Sequence, residues 1–375
     1  MSAIRLVELA SGRSRILAGF KNWEITEAAW VPDTRGLMIV YYIPGSSRLQ
    51  IGFVSNPDGG FHPITKDINW YQAITLSSDG KTLAAVQRKD TENFQILPAA
   101  GFTGNVSNWE VSQAKNSISF AWANNAELYF SDINNLIKLS ADGSHKTTLL
   151  GDPNAVISWN RNCHEQYVVL VWGAHNGSNM NIWRANPDGS NQKQLTSGKF
   201  DDNPVCSPDG KSLYYIDEEM QKIKRIPIEG GSAEAVSGVP MPNGRVESIA
   251  LSSDGKFLAA EFVTGRESPE KKIALLSVGA GAKRDIRMLD PDPRAVGLLD
   301  FTPDTEALVY PIRENGTDNL WLQPLKGGPG HEVTNFSADS IRNFQFSPDG
   351  KKVGILREHD ESDVVLLRDS GPSAQ

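Results

Sequence analysis

The sequence predicts an all-β fold built from a repeated unit of four strands, and three observations support this. Glycine (33) and proline (21) together make up about one residue in seven of the 375. Nine tryptophans are many for this length. An apolar–turn–apolar pattern recurs along the whole chain, and no helical period competes with it. Many short strands joined by frequent turns need all of these features.

Composition excludes several classes of function. The chain has 37 Lys+Arg against 45 Asp+Glu, a net charge of −8, so we expect no nucleic-acid partner. No apolar run approaches the ~18 residues of a membrane span, so we expect no membrane insertion by this chain. The first 20 residues lack the continuous apolar core of a signal peptide. The two cysteines, Cys163 and Cys206, are expected to be buried thiols.

The repeat consists of an apolar strand, a turn of the Ser-Pro-Asp-Gly type and a second apolar strand. In that turn Pro presets φ, Asp bonds the backbone two residues on, and Gly accepts a positive φ. A second hairpin follows, most clearly at 181–196. The mean spacing of the turn aspartates is about 45 residues, which is the period expected for four-stranded propeller blades. The copies lie at 29–42, 75–86, 121–130, 158–172, 205–216, 250–262, 300–312 and 345–356.

These units predict a single β-propeller over residues 1–375, with a hairpin at 4–18 before the first unit. The last unit lacks a fourth strand, and an N-terminal strand would close the ring and hide its edges. Closure by 14–18 gives eight blades, which we favour, and closure by 61–65 gives seven. A start in mid-blade also predicts a fragment of a longer protein. The units span about 25–65, 72–104, 118–150, 156–196, 203–237, 247–289, 297–334 and 342–368.

The repeats and the segment NIWRANPDGSNQKQLT (181–196) resemble the propeller of TolB and related periplasmic proteins. Residues 318–369, with the strand DVVLL, are similar to the end of propellers carried C-terminally by bacterial serine/threonine kinases and regulators. The resemblance implies a sensory, scaffolding or protein-binding propeller. It also implies an extracytoplasmic, periplasmic location, although the compartment itself is not fixed by the sequence.

The sequence contains no catalytic motif that we recognise. It lacks the Gly-x-Ser-x-Gly elbow of hydrolases and the Gly-rich, His-Arg-Asp and Asp-Phe-Gly motifs of kinases. His62, His145 and His331 occupy similar turn regions of three separate units and cannot converge on one ion, so we expect no metal, cofactor or catalytic residue. Two alternatives stay open: a lyase or hydrolase of sugars or peptides with its site in the axial channel, and an architectural ring that spaces other domains.

The predicted binding site is the channel mouth, formed by the loops that precede each first strand. Aromatic and arginine side chains there suit a protein or peptide partner, or a small ligand. Asn22-Trp23 and Asn69-Trp70 occupy equivalent positions, which also favours a packing role. Asp300 faces either the channel or the next blade. The predicted site residues are Trp23, Trp70, Tyr71, Asp202, Asn203, Arg245, Arg294 and Arg342.

Overall fold

The described part of the chain contains strands and turns but no helix, which confirms the all-β prediction. In this part, accordingly, no helix is long and apolar enough to cross a membrane. The computed structural model describes residues 2–21, 23–42, 48–67, 69–102, 104, 107–111, 117–152, 155–164, 166–174, 179–236, 244–265, 270–279 and 285–368.

The strands are numbered in chain order, and their bounds follow. They are β1 (Ser2–Val7), β2 (Ser14–Phe20), β3 (Glu24–Trp30), β4 (Gly36–Tyr42), β5 (Gln50–Ser55), β6 (Phe61–Pro63), β7 (Trp70–Leu76), β8 (Thr82–Pro98), β9 (Ser107–Glu110), β10 (Ser117–Trp122), β11 (Glu127–Asp132), β12 (Asn135–Ser140), β13 (Thr147–Gly151), β14 (Ala155–Cys163), β15 (Tyr167–Ala174), β16 (Asn181–Ala185), β17 (Lys193–Gln194), β18 (Asp201–Cys206), β19 (Ser212–Asp217), β20 (Lys222–Pro227), β21 (Glu234–Ala235), β22 (Arg245–Leu251), β23 (Phe257–Thr264), β24 (Glu270–Ser277), β25 (Ile286–Leu289), β26 (Asp300–Phe301), β27 (Ala307–Glu314), β28 (Thr317–Pro324), β29 (His331–Glu332), β30 (Ser340–Phe346) and β31 (Lys352–Arg368).

The chain divides into two compact units, where the sequence predicted a single propeller over residues 1–375. The first unit contains Met1–Asp90 and Asp360–Gln375, and the second contains Thr91–His359. The boundary falls inside two strands of 17 residues, β8 and β31, whose halves belong to different units.

In the residues that the structure describes, the second unit contains six sheets of four strands, the sixth being part of a five-stranded sheet. Five of them use consecutive strands: β10–β13, β14–β17, β18–β21, β22–β25 and β26–β29. The sixth joins β30 and residues 352–359 of β31 to residues 91–98 of β8 and to β9. The last sheet of this unit therefore takes its outer two strands from the part of the chain that precedes the first sheet.

These six sheets close into a cycle. The first strands β10, β14, β18, β22 and β26 contact each other in order, and β30 contacts both β28 and β10. At the closing contact the Trp122 backbone N–H donates to Gln345 Oε1 at 3.2 Å, and the Trp122 indole N–H donates to the Gln345 carbonyl at 3.0 Å. The second unit is thus a propeller of six sheets, and the structure does not confirm the predicted eight-bladed ring.

The predicted closure by residues 14–18 is wrong. These residues lie in β2, which pairs with β1 in a two-stranded sheet, whereas β31 pairs with β30 and β8. The four-strand repeat predicts separate strands at 352–357 and 363–368, but the intervening Glu-His-Asp-Glu-Ser contains neither Gly nor Pro. Without either of these residues the strand continues, and β8 continues in the same way through residues 87–92, which also lack Gly and Pro.

The described residues of the first unit form three sheets. They are β1–β2, β3–β6, and β7 with residues 82–90 of β8 and 360–368 of β31. One apolar cluster forms around Ile39 and Val54 of the second of these sheets. Another forms around Val40 and Leu83, with Leu367 packed against it.

The turns of the Ser-Pro-Asp-Gly type share one hydrogen-bond pattern. Ser207 Oγ donates to Asp209 Oδ1 at 2.6 Å and accepts the Ser212 N–H at 2.9 Å, while Asp209 Oδ1 also accepts the Lys211 N–H at 3.0 Å. The hydrogen bond from Ser207 holds the pKa of Asp209 below its usual value. The same pattern recurs at Ser77, Ser252, Thr302 and Ser347.

Cys163 and Cys206 form a disulfide, so the prediction of two buried thiols is wrong. The bond joins the end of β14 to the end of β18, and the two Cα atoms are 5.6 Å apart. Apolar side chains such as Val169 and Leu213 fill the space between the same two sheets. Residues 43 apart in sequence are thereby linked covalently where two neighbouring sheets meet.

Candidate functional site

The candidate site is a cavity of about 440 Å³ in the second unit. The first strand of each of the six sheets contributes to its wall, so the cavity lies on the axis of the cycle. Its volume is within the range of roughly 300–1,000 Å³ that is usual for ligand pockets. The lining residues are Trp122, Arg161, Asn162, His164, Val205, Cys206, Ala250, Asp300, Gln345, Phe346 and Pro348.

The cavity lies at the ends of the first strands rather than at their starts. Cys206 and Phe346 are the last residues of β18 and β30, and Pro348 belongs to the turn that follows β30. The sequence analysis placed the binding surface at the opposite end of these strands, where the preceding loops enter.

Arg161 brings a positive charge into the cavity. Its Nε is buried and has no hydrogen-bond partner, and the described residues form no ion pair with its guanidinium. Burial lowers the pKa of Arg161, and the Asp300 carboxylate opposes that shift through its charge. A buried guanidinium nitrogen without a partner is costly, because a lost hydrogen bond to a charged group is not replaced by water.

Asp300 supplies the opposite charge from the start of β26. Burial raises the pKa of Asp300 to about 6, although Arg161 and the N–H of Phe301 both stabilise its charged form. That N–H donates to Asp300 Oδ1 at 2.9 Å. Arg161 and Asp300 act on each other through space without a direct ion pair, so a ligand can contact both groups.

Amide, imidazole and aromatic groups complete the wall. Gln345 and Trp122 are held together by the two hydrogen bonds at the closing contact. Asn162 Nδ2 donates to the Ala123 carbonyl at 2.8 Å, and His164 Nε2 lies 3.1 Å from the Ser207 carbonyl. These contacts fix the polar side chains before a ligand arrives. Such an arrangement can orient a small polar molecule.

Among the described residues, no group of three or more His, Cys, Asp and Glu side chains is placed to hold a metal ion. His175, one of the six histidines in the sequence, lies outside the described residues.

Three of the predicted site residues lie in the first unit. Trp23 stacks between Phe20 and Tyr41, with ring centroids 4.7 and 4.9 Å away, so it packs in an apolar cluster. Trp70 has its indole N–H buried without a partner. Tyr71 is buried, and its hydroxyl donates to Asp67 at 2.6 Å. Asn22 lies outside the described residues.

Asp202 and Asn203 lie at a β-bulge near the start of β18. Asn203 has a positive φ of 53°, and its N–H donates to Asp202 Oδ1 at 2.6 Å. Burial raises the pKa of Asp202 to about 6, with a further contribution from the charge of Glu218.

The three predicted arginines all have carboxylate partners. Arg245 pairs with Glu247 at 2.8 Å, and Arg342 pairs with Glu358 at 3.5 Å. Arg294 contacts three acidic side chains and lies over the ring of Trp321. None of the eight predicted site residues lines the cavity.

A periodic signal in the sequence could have identified part of the cavity. Val205, Ala250, Asp300 and Gln345 each lie four residues before the acidic residue of their turn, and all four line the cavity. Asp300 and Gln345 are polar where Val205 and Ala250 are apolar, which distinguishes them as candidate site residues. Arg161 was missed because it lies in one of the degenerate copies of the repeat.

Comparisons with known proteins support the fold. No family model and no curated protein matches the chain. A putative TolB from Agrobacterium tumefaciens is 15% identical with a TM-score of 0.53, covering 72% of this chain and 99% of that one. A chain from a nidogen/laminin complex is 13% identical, with a TM-score of 0.48, and covers 64% of this chain and 90% of that one.

An oligogalacturonate lyase in complex with manganese is 12% identical, with a TM-score of 0.40, and covers 86% of this chain and 82% of that one. Sequence identities this low indicate a shared fold and give no information about activity. The likeness to TolB therefore supports a TolB-like β-propeller and no particular activity.

Proposed function

We propose that this chain is a non-catalytic binding propeller whose second unit receives a ligand in the axial cavity. The observation that carries this proposal is the convergence of six first strands on one cavity whose wall includes Arg161, the Nε of which is buried and has no partner among the described residues. A buried donor without a partner lowers the stability of the folded protein, and a ligand that accepts its hydrogen bond offsets this cost.

The context that we propose is the sensory or scaffolding part of a bacterial envelope or signalling protein, including a kinase-linked one. The resemblance of the repeats to TolB-like and kinase-linked propellers supports this. The disulfide between Cys163 and Cys206 supports an extracytoplasmic location, because such bonds persist in oxidising compartments.

A protein or peptide partner at the opposite ends of the first strands is a separate part of the proposal. Arginine and aromatic side chains are frequent anchors at such surfaces. In a pull-down, Arg342→Ala and Arg245→Ala, both in the second unit, should lose partners of the wild-type chain. Retention of every partner by both variants would contradict this part and leave the axial cavity as the binding site.

The cavity is tested by blocking it without changing its charge. Val205 lines the cavity and is partly exposed, so Val205→Phe should fill part of the space. Met288→Phe is the matched control, because Met288 is 45% exposed on β25 and does not line the cavity. Thermal unfolding of the 375-residue chain is measured against a panel of anionic, cationic, zwitterionic and neutral small molecules and short peptides.

We expect at least one class of compound to raise the melting temperature of wild type and of Met288→Phe but not of Val205→Phe. If no compound stabilises the wild-type chain, or if Val205→Phe responds like the wild type, the axial cavity is not a binding site.

An enzyme of the axial channel, a lyase or hydrolase of sugars or peptides, is the second candidate. Asp300 favours it, because a buried carboxyl with a pKa raised to about 6 is typical of general acids and bases. Turnover of oligosaccharides or peptides that is lost in Asp300→Asn would establish this candidate. Binding of the same compounds without any product would support the non-catalytic proposal.

A further inference from the structure

We propose that the axial cavity binds a small zwitterion, a free amino acid or dipeptide, with the ligand carboxylate at Arg161 and the ligand ammonium at Asp300. This inference rests on the proposed function, since it names the ligand class of the same cavity. The juxtaposition that carries it is one unpartnered cation and one carboxylate lining a cavity of about 440 Å³.

The carboxylate end of the ligand follows from Arg161. A planar guanidinium pairs with a carboxylate through two parallel hydrogen bonds, which fix the orientation of the ligand. The Nε of Arg161 makes no hydrogen bond within the described residues, and the side chain of Arg161 lines the cavity. Asp300 does not take this role, because the two side chains form no direct ion pair.

The ammonium end follows from Asp300. One carboxylate oxygen accepts the Phe301 N–H, and the described residues place no lysine or arginine in contact with the carboxylate. A ligand ammonium would give this carboxylate a charged hydrogen-bonding partner in addition to the Phe301 N–H.

The total charge of the cavity selects between ligand classes. Arg161, His164 and Asp300 are the charged or titratable side chains in the wall, and the other strands bring Trp122, Val205, Ala250 and Gln345. A ligand with only a carboxylate is repelled by Asp300, and one with only an ammonium is repelled by Arg161. A zwitterion satisfies both groups and leaves no buried charge unpaired.

The test is isothermal titration calorimetry on the 375-residue chain with three probes of nearly equal size. L-alanyl-L-alanine carries both charges, its N-acetyl derivative carries only the carboxylate, and its C-terminal amide carries only the ammonium. Free L-alanine tests the shorter charge separation. We expect a zwitterion to bind at least tenfold more tightly than either singly charged derivative.

Arg161→Gln and Asp300→Asn should each weaken binding of the zwitterion by 10- to 100-fold. Arg287→Gln is the matched control, because Arg287 is an exposed arginine of the same unit, on β25, that does not line the cavity. Circular dichroism and thermal unfolding without ligand establish that each variant is folded.

The pH dependence separates this inference from simple anion binding. Between pH 7 and pH 5 Asp300 gains a proton, so the affinity for the zwitterion should fall while that for the N-acetyl derivative should not. Asp300→Asn should abolish this difference. His164→Gln should preserve it, which distinguishes Asp300 from the imidazole in the same wall.

The possible outcomes separate the ligand class, a zwitterion, from the proposed function, a binding propeller. Tighter binding of a singly charged or neutral compound that Val205→Phe abolishes would overturn the zwitterion inference and leave the binding propeller standing. Binding of zwitterions that is unaffected by Arg161→Gln, Asp300→Asn and Val205→Phe would place the ligand elsewhere and overturn both.

Discussion

At the scale of single residues, the second unit contains carboxylates whose pKa values are shifted in opposite directions. Asp202 is buried at the bulge in β18, which raises its pKa to about 6. Asp209 accepts a hydrogen bond from Ser207 in its turn, which lowers its pKa. Because their pKa values are shifted in opposite directions, the Asn variants of these two aspartates are controls for each other in a pH experiment.

Asp202→Asn should stabilise the protein at neutral pH. When the pKa of a carboxyl is higher in the folded than in the unfolded state, the protein loses stability as the pH rises from about 4 through 6. The uncharged amide of the Asn variant does not cause this loss. The variant should exceed the wild type in free energy of unfolding by up to about 3 kcal/mol at pH 7 and by nothing at pH 4. Urea unfolding at both pH values measures this difference.

Asp209→Asn should change stability in the opposite direction. Its lowered pKa means that the charged carboxylate stabilises the fold above the unfolded pKa and stops doing so in acid. The variant should therefore be less stable than the wild type at pH 7, with a smaller deficit at pH 3. The same sign of change for Asp202→Asn and Asp209→Asn would contradict the two assignments.

Ser207→Ala should also destabilise the turn. The hydroxyl donates to Asp209 and accepts from Ser212, and it is buried. Its loss should reduce the free energy of unfolding by about 1–2 kcal/mol. Ser207→Thr is the matched control, because Thr302 makes the same hydrogen bonds in its own turn. An equal loss in both variants would show that packing and not the hydroxyl is responsible.

At the scale of elements, the disulfide between β14 and β18 links two neighbouring sheets. Cys163→Ser combined with Cys206→Ser should lower the free energy of unfolding by roughly 2–4 kcal/mol, since the closed loop spans 43 residues. Reduction of the wild type should lower stability by a similar amount. Two free thiols in the unreduced, denatured chain would contradict the bond and remove this support for an extracytoplasmic location.

Much of this element structure was predictable from the sequence. The turns punctuate the chain with Gly, Pro and Asp at a regular spacing, so the four-stranded repeat could be recognised. The lengths of β8 and β31 could not be recognised in the same way. Residues 87–92 and 358–362 are polar and contain neither Gly nor Pro, so their polarity alone predicts a loop. The predicted eight-bladed ring depended on closure by residues 14–18.

The site was less predictable than the fold for a different reason. Strand alternation indicates which residues face inward, but a bulge shifts the alternation by one residue. Register shifts occur within β14, β18, β22 and β30, close to the residues that reach the axis. The sequence therefore left the direction of Asp300 open, and the aromatic and arginine side chains at the starts of the strands predicted a site at the end opposite to the cavity.

At the scale of the whole molecule, closure of the second unit depends on contacts between residues far apart in sequence. Asn343 Nδ2 donates to Ser119 Oγ at 2.9 Å, linking β30 to β10. Asn343→Ala should reduce the free energy of unfolding by about 1–3 kcal/mol, because buried polar groups lose a partner. Hydrogen exchange should become faster in β10 and β30 together. Faster exchange confined to β30 would contradict this closure.

The most direct test of the central claim is a crystal structure of the 375-residue chain grown with L-alanyl-L-alanine. We predict six four-stranded sheets closed into a cycle over residues 91–359. The dipeptide should lie in the axial cavity, with its carboxylate at Arg161 and its ammonium at Asp300. A cycle that does not close between β10 and β30, or a dipeptide bound elsewhere while the cavity stays empty, would contradict the account.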